Sequence, residues 1–597
     1  MVARGDTNNA RHGELVSAET QPGIPSMGMT YARITECLGR LDTPRAASMI
    51  ASAMHELPSL FSPATLAESE AAELPALTAG REDLRGIPLV TIDGEDARDF
   101  DDAVFAEPDK DMGNEGGWHM VVAIADVAHY VKDGSALDAD AFERGNSVYF
   151  PDRVIPMLPE RLSNGLCSLV PNEDRFCLAV HLWMDANGTM RRYKFVRGLM
   201  RSKARLTYNQ VQAAYDAHLK GEGAAHPLLQ SIIIPLYQAY AALAAERDRR
   251  GALDLNLPEY KIVFDVSGNV AAIAPRERLE AHRLIECYMI AANVAAADFL
   301  LKHNMPAIYR VHEPPSEEKL EDLRNLLKAS GYSLHVGGGI KASHFNRVLH
   351  ASHEQPDEYL IHSSVLRSQM QAYYSHENLG HFGLTLEKYC HFTSPIRRYS
   401  DLVVHRSLAS AIGDSSQKMS KIEMKLLNAR LADIALHISD TERRAMLAER
   451  EASDRYKVSF MSRHIGDTFT GVINSLNEYG LFITLSDSGI TGFIPTRNLP
   501  GDFYIFDKRH NCFKGQRSKH VFGIGQTLII RVQSANAITG SLIFEPERPP
   551  EMLPPLRPGR EHHHKGSHKK HYGDRRPGKE SGRKDSNGKN RRKKPKR

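Results

Sequence analysis

The chain has 597 residues, 42% hydrophobic and 25% charged, the proportions of a globular protein with room for about four domains. No apolar run reaches the ~18 residues of a membrane span, MVARGDTNNARHGE carries no leader core, and six scattered cysteines form no CxxC pair, which excludes disulfide scaffolds and zinc modules and fits a reducing cytoplasm. The net charge of +3 is uneven: residues 557–597 hold 17 Lys/Arg against 4 Asp/Glu, a surplus of 13, so the rest of the chain carries −10.

An acidic body with a basic tail points to a nucleic-acid partner. The tail, residues 547–597, has too few apolar residues to bury a core and is expected to be disordered; its His562–His564 run reads as polar filler. At the other end, residues 1–28 are polar and expected to be unstructured. Residues 29–83 form a lead-in. There, 29–39 (MTYARITECLG) alternates weakly as a lone strand. A helix follows from Thr43 or Pro44 to Leu57, with Met49, Ile50, Ala53 and Leu57 on one face. A second helix starts at Pro63 behind the N-cap Ser62.

Residues 87–92 read as a short buried strand that runs into an acidic loop, 91–104 (TIDGEDARDFDDAV). Asp93, Glu95, Asp96, Asp99, Asp101 and Asp102 crowd this loop, with Arg98 as the one compensating charge. Carboxylates so close repel unless protonated or joined by a cation, and all-oxygen ligands suit Mg²⁺ or Mn²⁺. A calcium loop counted from Asp93 fails, since its glycine and glutamate places hold Arg98 and Val104. A solvated acidic turn is the plain alternative. A pair of Mg²⁺ ions held by Asp93, Asp99, Asp101 and Asp102 would suit phosphoryl transfer.

The DxxxxxDxDD spacing resembles the signature of the RNase II/RNase R (RNB) exoribonuclease family. The likeness continues in residues 146–171 (NSVYFPDRVIPMLPERLSNGLCSLVP) and 391–406 (HFTSPIRRYSDLVVHR), and covers roughly residues 84–546. It implies an α+β fold: a large mixed catalytic RNB domain over 84–463, then a five-stranded OB-type, S1-like barrel over 464–546. It also implies 3′→5′ hydrolysis of single-stranded RNA to nucleoside 5′-monophosphates by a monomer, with structured RNA a possible substrate and no membrane partner. The family's cold-shock barrels have no counterpart pattern here; 29–39 looks like the closing strand of one.

By the same resemblance Tyr149 stacks on the terminal base, Glu286 touches a ribose, and Asp101, Arg397 and Glu449 carry catalysis. Each has a plainer reading: a core tyrosine, a Glu286–Arg283 surface pair, an Arg397–Asp401 pair, a solvated helix face at Glu449. Near Leu255 the family often has an aromatic that this chain lacks.

Strands are expected at 118–124, 147–150 and 177–184, and a long helix at 280–304 with Leu284, Met289, Ala292 and Ala296 inward. Ser394 and Pro395 read as N-cap and first residue of a helix with Leu402, Val403, Leu408 and Ile412 buried. Arg397 and Arg398 would then sit in its first turn, which disfavours cations unless an anion docks there. A further helix spans 421–455. Short strands at 469–473, 480–485, 491–495, 528–532 and 540–544 fit the barrel. Phe469, Tyr479, Phe482 and Phe493 are candidate RNA-stacking residues, about half of them expected in the barrel core. The insert after Leu499, with Lys508, Arg509, Lys514, Arg517, Lys519 and His520, reads as a phosphate-binding loop. Two other functions fit the residues: a catalytically silent RNA-binding or translation-linked protein, and a metal-dependent endonuclease or phosphatase.

Overall fold

The computed structural model describes residues 1–547 except 22–29, 42, 75, 78–79, 223–225, 336–338, 414–417, 509 and 511. The expectations for the basic tail lie outside the described residues. The chain opens with an antiparallel hairpin, β1 (Glu14–Thr20) and β2 (Ala32–Arg40), with Glu14 opposite Arg40 and Thr20 opposite Ala32. Of residues 1–28, expected to be unstructured, 14–20 thus form a strand, and 29–39 is not a lone strand. The polar composition concealed a strand whose partner lies only a dozen residues ahead.

Helix α1 (Ala46–Met54) buries Ser48, Ala51 and Ser52; of the expected face Met49, Ile50 and Ala53 are half-buried and Leu57, beyond the helix end, is buried. Its neighbour explains the choice of face: Ala51 and Leu57 pack with Ala445, Ala448 and Ala452, and only small side chains allow so close an approach. Helix α2 (Pro63–Glu70) begins as its sequence dictates, with the Ser62 side chain accepting the Thr65 N–H.

A seven-stranded sheet organises the central region of the chain. Its strands are β3 (Glu82–Asp83), β4 (Val90–Asp93), β5 (Asp102–Pro108), β6 (Trp118–Ala125), β7 (Asp174–Met184), β8 (Met190–Arg201) and β9 (Ala204–Thr207), in the order β9-β4-β5-β6-β7-β8-β3. Pairing is parallel at β9–β4 and β8–β3 and antiparallel elsewhere. Alternate residues serve opposite faces. Val104, Val122 and Val180 meet the helices α3 (Tyr208–Leu219) and α4 (Glu280–Lys302), while Ala103, Val121 and Ala179 meet α5 (Tyr399–Ala411) and α6 (Lys421–Met461). Both faces being covered, the central strand β6 is buried on both sides from Met120 to Ala125. Helix α4 alone among the described helices is long and apolar enough to cross a membrane, but 67% of its apolar window is buried in this core. Leu284, Ala292 and Ala296 are fully buried there, whereas Met289 stays at the margin.

Asp126, at the end of β6, is buried between two arginines. It accepts from Arg197 Nε at 2.9 Å and from Arg81 Nη2 at 2.8 Å. Despite its burial, the two guanidiniums hold its carboxyl far below the usual range. Its stability contribution is present above the unfolded-state pKa of ~3.9 and disappears as pH falls through the folded value. Asp126→Asn, measured by urea denaturation at neutral pH, is expected to cost about 3–5 kcal/mol by leaving buried charge uncompensated.

The barrel strands, Thr468–Asn477, Gly480–Leu485, Thr491–Pro495, Thr527–Asn536 and Ser541–Pro546, close on one another around Ile473, Leu481, Ile483, Ile494, Ile530 and Phe544. The basic insert is not a bare loop. Tyr504–Asp507, Cys512–Gly515 and Val521–Gly523 form a three-stranded sheet in which Lys514 Nζ sits 2.6 Å from Asp507.

Candidate active site

The acidic loop leaves the sheet at Asp93, the last residue of β4, and returns at Asp102, the first of β5. Its path is fixed from several sides. The Arg205 Nη2 group donates to the carbonyls of Gly94 and Glu95, each at 2.7 Å. The Ser168 hydroxyl donates to the Arg98 carbonyl at 2.7 Å and accepts the Phe100 N–H at 3.0 Å. The Asp101 carbonyl accepts the Ala125 N–H at 2.9 Å. Three acidic side chains are thereby turned inward.

Asp101 is 4% exposed; its Oδ1 accepts the Ile396 N–H at 2.9 Å, and its Oδ2 faces Arg397 Nε at 3.6 Å. Burial pushes its carboxyl well up, against the pull of Arg397 and the Ile396 N–H. Burial and the Asp93 charge push Asp102 up to about 8. Burial and Asp99 push Asp93 up to about 6, with Arg397 and Arg205 opposing. The Oδ2 atoms of Asp101 and Asp102 are buried and accept no hydrogen bond. Buried carboxylate oxygens without donors are costly unless a cation meets them. Hard oxygen donors with orphaned lone pairs fit Mg²⁺ or Mn²⁺, although among the described residues no three Asp, Glu, His or Cys side chains stand as a ready-made coordination group.

Tyr149 and Glu449 join this cluster. The Tyr149 hydroxyl donates to Asp99 Oδ2 at 2.9 Å, and its backbone N–H donates to Glu449 Oε1 at 2.6 Å. Tyr149 is 38% exposed, so it is not a core tyrosine, and its neighbours in the short hairpin Val148–Tyr149/Val154–Ile155 are mostly buried. Burial pushes the Glu449 carboxyl up and the Tyr149 N–H pulls it back. Glu449 therefore grips the strand that carries Tyr149 and is not a solvated helix face.

The 391–406 segment departs from its expected shape. The helix α5 begins at Tyr399, not at Pro395, with Arg398 as an extended N-cap residue. The backbone of 394–399 is occupied elsewhere: Ile396 N–H goes to Asp101, Tyr399 N–H to the Gly145 carbonyl, and the Arg397 carbonyl accepts the Ser147 N–H. Arg397 and Arg398 thus precede the helix instead of lying in its first turn. Arg398 Nε and Nη2 grip Asp401 at 2.8 and 2.7 Å, and Asp401 also accepts the Ser394 N–H. Arg398, expected with Arg397 to meet a docked RNA phosphate, is instead held in that ion pair; the Asp401 partner is Arg398, not Arg397. Arg397 stays half-exposed and turned toward Asp101.

Glu286 pairs with Arg278 at 2.7 Å, whereas Arg283 pairs with Glu280. Leu255 packs against the apolar cluster of Leu320, Leu323 and Phe345. In the barrel, Phe469 is half-buried and packs against the core beside His464. Phe482 and Phe493, 5.0 Å apart, line a cavity of about 620 Å³ with Arg367, Arg450 and Lys457, and Tyr479 is 67% exposed.

Two neighbours of the cluster gave no signal in the sequence. Tyr208 stacks on His282 at 4.1 Å, and burial together with the charges of Asp93 and Asp102 pushes its phenol up. Arg205 holds the acidic loop. Both belong to ARLTYNQ, which carries no acidic or metal-ligand pattern and is brought beside the loop by the parallel β9–β4 pairing.

Comparison with known proteins agrees with this architecture. The chain matches the RNB domain over residues 81–414 and the S1 RNA binding domain over 463–545. It belongs to the RNB domain family. Among curated relatives it is similar to ribonuclease R of Vibrio parahaemolyticus, 38% identical over 90% of this chain, and of Escherichia coli, 39% identical over 88%. It spans 65% of the length of each. Among solved structures it is similar to Mycoplasma genitalium RNase R in complex with ribose methylated single-stranded RNA, with a TM-score of 0.86, 27% identity, and coverage of 92% of this chain and 85% of that one.

Proposed function

We propose that the chain is a 3′→5′ exoribonuclease that hydrolyses single-stranded RNA and releases nucleoside 5′-monophosphates. The observation that carries this reading is the buried Asp93–Asp101–Asp102 cluster, with two donorless oxygens, facing Arg397 and bounded by Tyr149. Asp93, Asp99, Asp101 and Asp102 would hold Mg²⁺, two ions with Mn²⁺ as substitute, whose chemistry is to neutralise phosphate charge and lower the pKa of water.

The chain's own groups do the rest. The Arg397 guanidinium draws the last phosphodiester of the strand against Asp101. Tyr149 offers its ring to the terminal base, and its hydroxyl holds Asp99. Water oxygen bonds to phosphorus as the P–O3′ bond breaks, so the leaving 3′-oxygen takes a proton and remains on the shortened strand. The barrel aromatics Phe482, Phe493 and Tyr479 and the basic tail gather RNA, and Glu286, tied to Arg278, stands as the ribose contact. Duplex RNA is a further substrate class to be tested. The free thiols, five of six buried, suit a cytoplasmic protein.

The test is to incubate 5′-labelled RNA with the protein and Mg²⁺. A descending ladder supports the reading; internal fragments favour an endonuclease, and intact bound RNA favours a silent binding protein. Tyr149→Ala is expected to weaken binding of the RNA 3′ end by about 10–100-fold, the range of one lost base stack. Tyr149→Phe, which loses only the Asp99 hydrogen bond, is expected to bind within a few-fold of the parent in a filter-binding titration.

A further inference from the structure

The acidic loop is gripped at its start by a residue of another strand. Strand β9 runs parallel to β4 with Arg205 beside Thr91, and the Arg205 side chain reaches past the strand end to the carbonyls of Gly94 and Glu95. Its guanidinium lies 5.7 Å from the centre of the Phe100 ring, on the far limb of the same loop. Four residues on, in the first turn of α3, Asn209 donates to the Glu95 carboxylate at 3.0 Å. Gly94 follows Asp93 directly, and the Ser168 grip on Arg98 and Phe100 brackets Asp99. Arg205 and Ser168 therefore hold the two limbs on which Asp93 and Asp99 sit.

We infer that Arg205 is a positioning residue: it sets the separation of Asp93 and Asp99 before any cation arrives, and so sets the affinity of the site for divalent cations. This rests on the carboxylate cluster being the metal site, as proposed above. Two effects of Arg205 oppose each other. Its charge repels a cation, so losing the charge alone would tighten binding. Its clasp preorganises the ligands, so losing the clasp would weaken binding. Partners that orient ligands through hydrogen bonds characteristically change metal affinity by 10–100-fold, and the two short bonds to backbone carbonyls place Arg205 in that class. The clasp prevails.

The experiment compares Arg205→Ala and Arg205→Lys with the parent in two readouts independent of RNA cleavage: Mn²⁺ titration followed by electron paramagnetic resonance, and amide hydrogen exchange of residues 94–100 in the metal-free protein. Arg205→Ala is expected to weaken Mn²⁺ binding about tenfold and to speed exchange across 94–100. Arg205→Lys, which keeps charge and a donor, is expected to recover most of both. Mn²⁺ binding that is unchanged or tighter in Arg205→Ala overturns the inference, as does unchanged exchange. Should Arg205→Ala fail to fold, Asn209→Ala removes only the Glu95 side of the grip, and the same shifts are expected at smaller size; their absence counts against the clasp. A parent chain that binds no Mn²⁺ refutes the metal reading itself, and exchange then decides the clasp alone.

Discussion

Asp101→Asn is expected to stop RNA hydrolysis while RNA remains bound. The substitution preserves shape: the Asn carbonyl still accepts the Ile396 N–H, so the turn before α5 and the approach of Arg397 persist. The charge is lost, and an amide N–H can replace the donorless Oδ2, turning a donor toward the Arg397 guanidinium. The site then lacks one of the anions that, in the proposed function, would hold and balance the divalent cations, while the Phe482–Phe493 surface and Tyr149 are untouched. A fall in turnover on the order of 10³-fold or more, equivalent to about 4 kcal/mol of barrier, is expected, with RNA affinity within a few-fold of the parent. Single-turnover kinetics beside a binding titration separate the two. Equal loss of both would place Asp101 in the scaffold and not in the chemistry.

The second large effect is in stability and has an unusual sign. Asp102 is pushed up to about 8 and Asp93 to about 6, mainly by burial. A carboxyl with a raised folded-state pKa holds more protons folded than unfolded, so metal-free stability falls as pH rises from the unfolded value of ~3.9 toward 8. Asp102→Asn removes the larger of these penalties. In chelator at pH 8 the variant is expected to be more stable than the parent by on the order of 2 kcal/mol, and the gap is expected to close near pH 4. Mg²⁺ is expected to raise the parent's Tm and leave the variant nearly unmoved. Thermal melts at pH 4, 6 and 8, with and without Mg²⁺, check all three statements. A variant less stable than the parent at pH 8 in chelator would show that the carboxylate is already paid for by its arginine neighbours.

Much of the site was legible because its chemistry is written in local composition. Six carboxylates around one arginine can be read without a fold, and Ser62–Pro63 announces its helix by side chain and ring alone. The S1-like barrel showed in its alternation, yet alternation could not orient Phe469, whose inward turn depends on His464 and the barrel closure. Residues 394–398 misled for a related reason. Ser-Pro is a good helix start locally, but Asp101, Gly145 and Ser147, each more than two hundred residues away, take the backbone groups a helix would need. The β1–β2 hairpin failed likewise and the face of α1 in part, one hidden by polar strand residues and the other set by alanines of α6. Arg205 could not be found at all, since its function exists only across a parallel strand pair.

Helix α6 runs for 41 residues without interruption. Glu449 on it holds the strand of Tyr149, and Val458 and Met461, two to three turns further on, are buried in the barrel core. At 1.5 Å per residue the step from Glu449 to Val458 is about 14 Å along one rod. Under the proposed function, the barrel that would gather RNA and the site that would cut it are thus mounted on a common shaft, so that a disturbance at either end of the rod would be felt at the other.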